Sequence, residues 1–204
     1  MTTMLARPRR SRVEMSAETR TKLLSLARAM FGSVGYADVA LEDLTTVGGM
    51  TRGALYHHFE NKLGLFKAVV AEIEAELDRE VKAKTRHLGE RPEDAWEGLR
   101  LASHCYLSTV LKADVQQIML RDAPTFYPGF ANRPTKLRCH ELTIRTLSGL
   151  KSAGKLDILD PEATANMIAG AIQRLASWAV ALPEPDITQI QKMLDQYLAS
   201  FGVR

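Results

Sequence analysis

Apolar side chains recur at three- and four-residue intervals along nearly all of this 204-residue chain, the rhythm of helices that each bury one face. Leu23, Leu26, Ala27, Met30, Phe31 and Val34 form the first such stripe. Ser16 is placed to cap that helix, Glu18 suits the positive end of its dipole, and Gly35 tolerates the turn that ends it. Two short helices follow, parted by Gly48–Gly49: one at about 41–47, with Leu41, Leu44 and Val47 on one side, and one at about 51–59. A long helix starts at a capping Asn61 and aligns Leu63, Phe66, Val70, Ile73, Leu77 and Val81. The segment HLGERPED at 87–94 interrupts the pattern. Beyond it the spacing predicts helices at about 92–112, 115–122, 134–153, 162–182 and 187–202. Pro161 behind Asp160 and the Asp186-x-x-Gln189 box mark the starts of the last two. No segment alternates in the manner of a strand, so the expectation is an all-α fold without internal repeats.

Composition narrows this picture modestly. A mass of 22.7 kDa with 46% apolar residues supports one medium domain, or a small domain joined to a larger one. The net charge of +3 is too small to specify a polyanionic partner, and its placement is more telling. Arg7, Arg9, Arg10 and Arg12 form a basic knot, expected to be a flexible arm over residues 1–15 that is either solvated or laid against DNA. Residues 1–60 hold eight Lys/Arg against six Asp/Glu, so nucleic-acid contacts outside the arm must come from individually placed side chains. The first fifteen residues lack the apolar core of a secretion signal, and no apolar run approaches the ~18 residues of a membrane span. With only Cys105 and Cys139, widely separated, the expectation is a cytosolic protein with no membrane partner. No P-loop, dinucleotide glycine pattern, nucleophile elbow or zinc-protease motif occurs, so neither an enzyme, nor a catalytic residue, nor a cofactor is expected. The pairs His104–Cys105 and Cys139–His140 diverge by about 100° on a helix, so each offers one ligand per site and no metal site is expected.

The stretch GGMTRGALYHHFENK at 48–62 carries the chemistry. Two short helices joined by a glycine turn and packed on a longer one make a helix-turn-helix unit, whose second short helix enters the major groove. Thr51 can donate to a phosphate at that helix start. Arg52 is long enough to fork onto guanine O6 and N7, and Gly53 permits close backbone approach. Tyr56, His57 and His58 lie in reach of phosphates or thymine methyls, and Lys62 adds a cation at the next helix. Leu55 and Phe59 should anchor the helix to the core. The plainer alternative for such a run is a capped, half-buried helix end.

The run AMFGSVGY followed by LEDLTTVGGMTRGALYHHFENKLGLF resembles the DNA-binding domain of TetR-type transcriptional regulators. The shared positions are Gly35–Tyr36, Asp43–Leu44, Gly49–Met50–Thr51–Arg52–Gly53, Leu55–Tyr56, His58–Phe59, Lys62 and Leu65. Two departures stand out. Val39 and Ala40 replace the usual hydroxyl pair that caps the first short helix, with Asp38 as a possible substitute cap. Thr45 replaces a small alanine. The resemblance implies a three-helix DNA-binding domain over 16–77 and a helical ligand-binding and dimerisation domain over 78–204. It implies a homodimer on a palindromic double-stranded operator, released by a small-molecule effector.

Within the second domain, helices 162–182 and 187–202 are the expected dimer pair. The first offers small residues among Ile168, Ile172, Leu175 and Trp178, and the second offers Ile187, Ile190, Leu194, Tyr197, Leu198 and Phe201. These could equally form the core of one chain. Trp96, His104, Tyr106, Gln117, Phe126, Tyr127, His140, Arg174 and Trp178 are the candidates for an effector cavity, mostly apolar with few polar groups. An enclosed cavity would favour sensing. A solid second domain would favour an effector-independent architectural DNA binder.

Overall fold

Ser11, rather than Ser16, caps the first helix of the computed structural model, which describes residues 11–89, 91–130 and 138–202. The Ser11 hydroxyl accepts from the Glu14 N–H at 3.1 Å, and the Glu14 carboxylate accepts from the Ser11 N–H at 2.7 Å. This reciprocal box satisfies two orphan amides, whereas Ser16 is followed three residues later by Thr19 and has no such return partner. Helix α1 (Arg12–Val34) therefore takes in Arg12 and the residues up to the expected boundary. Arg7, Arg9 and Arg10 lie outside the described residues. Leu23, Leu24, Ala27 and Phe31 are buried, while Val34, expected on that face, is exposed in the final turn before Gly35.

Helix α2 (Leu41–Gly48) begins at Ala40 with no side-chain cap, so Asp38 does not replace the missing hydroxyl; Glu42 and Asp43 in the first turn complement the dipole instead. Leu44 and Thr45 face inward, and Thr45 donates to the Glu42 carbonyl at 2.9 Å. Val47, expected beside Leu44, points to solvent. Gly49 takes the left-handed conformation at φ 61° and turns the chain into α3 (Arg52–His58), which Thr51 caps. Helix α4 (Lys62–Thr85) is capped by Asn61, whose side chain accepts from the Gly64 N–H. It buries Leu65, Phe66, Val69, Val70, Ile73 and Leu77, a broader face than the predicted stripe, because α1 and α5 both pack on it. Leu63 and Val81 are only half-buried. Helix α4 also runs unbroken across the expected domain boundary at 77.

The body follows with α5 (Pro92–Val110), α6 (Ala113–Gln116), a π-helical segment Gln117–Asp122 and α7 (Ala123–Phe126). These last three make one run longer than the predicted 115–122. Pro124 has no N–H and its ring would strike the carbonyl four residues back in a regular helix. The widened π turn, where the Ala123 N–H reaches the Ile118 carbonyl, accommodates it. Helix α8 (Arg138–Ser152) precedes α9 (Pro161–Val180), capped by Asp160, and α10 (Ile187–Ala199), capped by Asp186. Helices α5, α8, α9 and α10 pack on one another. Several residues expected at a dimer interface are core of the single chain instead: Ile168, Ile172, Ile190, Leu194 and Leu198 are all buried. Helix α9 packs on α8 and α5, and α10 packs on α5 and α9. Among the described residues no helix is long and apolar enough to cross a membrane.

Candidate nucleic-acid interface, seam and cavity

Helix α3 is fixed from below. Leu55 and Phe59 are buried in the three-helix head, and the Arg20 guanidinium lies 5.4 Å over the Phe59 ring. The remaining side chains are thereby turned outward: Thr51, Arg52, Gly53, Tyr56 and His57 are exposed and His58 is half-buried. The Thr51 hydroxyl accepts from the Ala54 N–H at 3.2 Å, and its own O–H remains able to donate. Arg52 rests on Glu42 of α2 at 2.8 Å in an exposed pair, a contact weak enough to exchange for another. A Cβ at Gly53 would meet only Thr51 Oγ1, at 3.9 Å, so the space around it is open to a partner rather than filled by the protein itself. The His57 and His58 rings meet edge-on at 5.1 Å. Burial, then the charges of His57 and Arg20, hold His58 below its ordinary pKa.

Lys62 is placed differently. Its ammonium donates to the Ala37 carbonyl at 3.1 Å and lies 4.6 Å over the Tyr36 ring, tying the end of α1 to the start of α4. Burial lowers its pKa despite Asp38 and Asp122. Three donors on one ammonium still leave some for an outside acceptor.

Head and body meet along a seam that the sequence reading missed. Arg28 of α1 reaches Asp114 of α6 at 2.9 Å and Glu76 of α4 at 2.6 Å. A Cβ on Gly32 would lie 2.7 Å from Asp114 Cβ and 2.8 Å from its Cα, so only glycine lets α1 and α6 come this close. Asp122, buried in the π-helical turn, accepts from the Tyr36 N–H at 2.8 Å and from Gln117 at 3.1 Å. Phe126 stacks on Tyr36 with ring centroids 4.9 Å apart, and Tyr36 in turn meets Phe66. Of the expected cavity residues, Gln117 and Phe126 therefore belong to this seam. The available signal was an acid two residues after the apolar run Ile118–Met119–Leu120, where a buried carboxylate needs a donor from elsewhere.

A cavity of about 130 Å³ lies between α4, α5, α8 and α9. Leu77 and Val81 line it from α4, Leu99, Ser103 and Tyr106 from α5, and Met119 from the π turn. Phe130, His140 and the α9 residues Ala165, Ile168, Ala169 and Ile172 complete most of the wall. Tyr106 and His140 are thus the two expected residues that it brings together. His140 is 5% exposed, and its Nε2 is buried with no hydrogen-bond partner among the described residues. Burial lowers its pKa, with Glu162 acting in the opposite direction.

The other candidates sit elsewhere. Trp96 packs on Phe201 at 6.5 Å, and His104 Nε2 lies 2.6 Å from Asp195, which also takes Arg100; both join α5 to the α10 end of the chain. Tyr127 lies against Phe130 and under the Lys67 ammonium. Arg174 and Trp178 face outward on α9 with Met167 and Gly170, and Met193 is exposed on α10. Cys105 is buried and free, the Cys139 side chain lies outside the described residues, and no metal-holding cluster occurs among those described.

Comparisons with known proteins follow this division. Residues 23–69 match the family described as bacterial regulatory proteins, tetR family, and residues 96–200 match the tetracyclin repressor-like C-terminal domain. A TetR-family transcriptional regulator from Pectobacterium atrosepticum is 35% identical, with 96% of this chain and 99% of that one covered at a TM-score of 0.71. SmeT, the repressor of the Stenotrophomonas maltophilia efflux pump SmeDEF, shares the fold: 22% identity, TM-score 0.74, and 93% and 92% of the two chains covered. The regulator CymR of Pseudomonas putida is 30% identical over 119 residues, which is 58% of this chain and 48% of CymR. The chain thus spans about half of CymR, and 29% of the repressor BepR of Brucella suis is matched.

Proposed function

The chain belongs to the tetR family of bacterial regulatory proteins, and from that membership we propose that it is an effector-responsive repressor working in the cytoplasm as a homodimer on a palindromic DNA operator. The observation that carries this reading is helix α3, anchored by buried Leu55 and Phe59 while Thr51, Arg52, Tyr56 and His57 stay exposed. Arg52 exchanges Glu42 for a base edge, Thr51 and Tyr56 take phosphates, and Gly53 lets the backbone close on the duplex. His58 and Lys62 brace the edge of the contact.

Pairing follows from geometry and from the surface left over. One recognition helix reads a few base pairs, and a two-fold dimer presents two of them about one DNA turn, ~34–36 Å, apart. The outward stripe Ala163, Met167, Gly170, Arg174 and Trp178 on α9, with Met193 on α10, suits that contact. At Gly170 a Cβ would meet no atom within 4 Å, leaving room for a partner helix.

Signalling runs through shared elements. Leu77 and Val81 of α4 line the cavity, and the same helix meets the head at Phe66 and at Glu76–Arg28. Met119 lines the cavity from the π turn that also holds Asp122 against Tyr36. An occupant that shifts α4 or the π turn changes the spacing of the two α3 helices. A coupling of about 1–3 kcal/mol would weaken operator binding roughly 5–150-fold. The cavity favours this reading over an effector-independent architectural binder.

Filling the cavity from within tests both halves. The full chain and an Ala169→Phe variant are titrated at fixed salt against a duplex enriched from a random pool. The expected result is sequence-selective binding by the wild type and a changed affinity in the variant. Equal affinities would leave DNA binding standing and remove the switch, and indiscriminate binding by the wild type would remove the regulator itself.

A further inference from the structure

The cavity is walled mainly by hydrocarbon, with Leu77, Leu99, Ile168 and Ile172 among its lining and Glu74, Ser103, Thr143 and Gln173 as polar neighbours. Its volume, about 130 Å³, is close to the ~150 Å³ of an apolar cavity that takes up benzene. Into this wall the fold sets one imidazole, His140, whose Nε2 is buried and finds no acceptor or donor among the described residues. Such an atom costs stability unless something supplies the missing bond. We propose that the cavity receives a neutral, single-ring molecule bearing a hydroxyl, of the phenol class, with that hydroxyl seated on His140 Nε2.

The chemistry selects the class in three steps. A ring of six carbons matches the size and the apolar walls, and Tyr106, Phe130 and the Met119 thioether make aromatic-compatible lining. Burial keeps the His140 ring below its ordinary pKa, so it is uncharged near neutral pH and offers an anion no countercharge. Glu74 on the same wall also opposes an anion and would favour an ammonium, so the comparison with benzylamine below decides between a neutral and a cationic occupant. A hydroxyl both donates and accepts, so it satisfies Nε2 in either imidazole tautomer, whereas an ether or ketone serves one tautomer and an ammonium the other.

The inference rests on reading this cavity as the effector site, and the test separates the two. Calorimetric titration of the full chain compares phenol, toluene, benzylamine and benzoate. Phenol should bind about tenfold more tightly than toluene, the loss expected when a buried polar atom stays unpaired. His140→Leu should bring the two together, and His140→Gln, whose amide also donates and accepts, should retain the preference. Should His140→Leu not fold, the wild-type ratio of phenol to toluene decides alone. Equal binding of phenol and toluene would overturn the hydroxyl–imidazole contact while leaving the effector reading intact. Tighter benzylamine or benzoate would overturn the neutral class in the same way. No binding of any of the four up to about 10 mM would overturn the one-ring occupant, while the effector reading would still be judged by the Ala169→Phe operator titration.

Discussion

Helix α3, the proposed DNA reader, and the cavity solve opposite problems with the same helical material. Helix α3 buries two apolar side chains and holds hydroxyls, a guanidinium and rings in water. The cavity sets one imidazole in a mainly apolar wall and buries its Nε2. In the first, polar groups are satisfied by solvent until a partner replaces it, so the surface stands ready at little cost in stability. In the second, an unmet bond is held inside the fold, which on the proposed function is what an occupant would answer. The seam at Arg28, Gly32 and Asp122 joins head and body through ion pairs, a close helix approach and a buried carboxylate.

The sharpest way to break the comparison is to remove the scaffold under α3. Phe31 is fully buried and meets Phe66 edge-on at 5.2 Å, so Phe31→Ala should cost about 3–5 kcal/mol in denaturant unfolding and lose DNA binding with the fold. Arg52→Ala should instead lose about 1–3 kcal/mol of operator affinity while unfolding changes by less than about 0.5 kcal/mol, since its pair with Glu42 is exposed. Together the two variants distinguish scaffold from reader. Asp122→Ala leaves the Tyr36 N–H without its acceptor and should cost about 1–3 kcal/mol of stability. It should also blunt the effect of Ala169→Phe on operator affinity, and an undiminished effect would place the coupling elsewhere than the seam.

The smallest effect is the pH response of the cavity. His140 has a lowered pKa in the fold because of burial. The stability of its neutral form is therefore present above the ordinary histidine value, ~6.5, and is lost as pH falls through the folded value. His58 shifts in the same direction, so the informative quantity is a difference. Melting temperatures between about pH 7 and pH 5 should fall more steeply in the wild type than in His140→Gln. Parallel curves would show that His140 titrates as it does in the unfolded chain.

The two regions also differed in how readily they could be read from sequence. Helix α3 is a continuous run, and its anchors Leu55 and Phe59 alternate with outward residues at helical spacing, so the division between buried and exposed was legible. The cavity is assembled from α4, α5, the π turn, α8 and α9, and a list of large polar and aromatic residues recovered only Tyr106 and His140. Much of its wall is made of Leu, Ile and Ala, whose identity says core without saying which core. Trp96 and His104 turned out to join α5 to the α10 end of the chain because their helix has two buried faces, and periodicity alone does not say which neighbour each face meets. Asp122 was missed because its partner is a backbone N–H far away in the chain, at Tyr36. The Ser11–Glu14 box lies ahead of the first apolar stripe, so apolar periodicity does not mark where α1 begins.

Sequence selection from a random duplex pool by the full chain, run beside Arg52→Ala, tests the central claim most directly. The proposed two-fold pairing of outward α3 helices predicts an enriched inverted repeat, its half-sites about one turn apart, with preference relaxed at one symmetric pair of positions in the variant. Enrichment of an unsymmetrical site, or of the same repeat undiminished by Arg52→Ala, would contradict it.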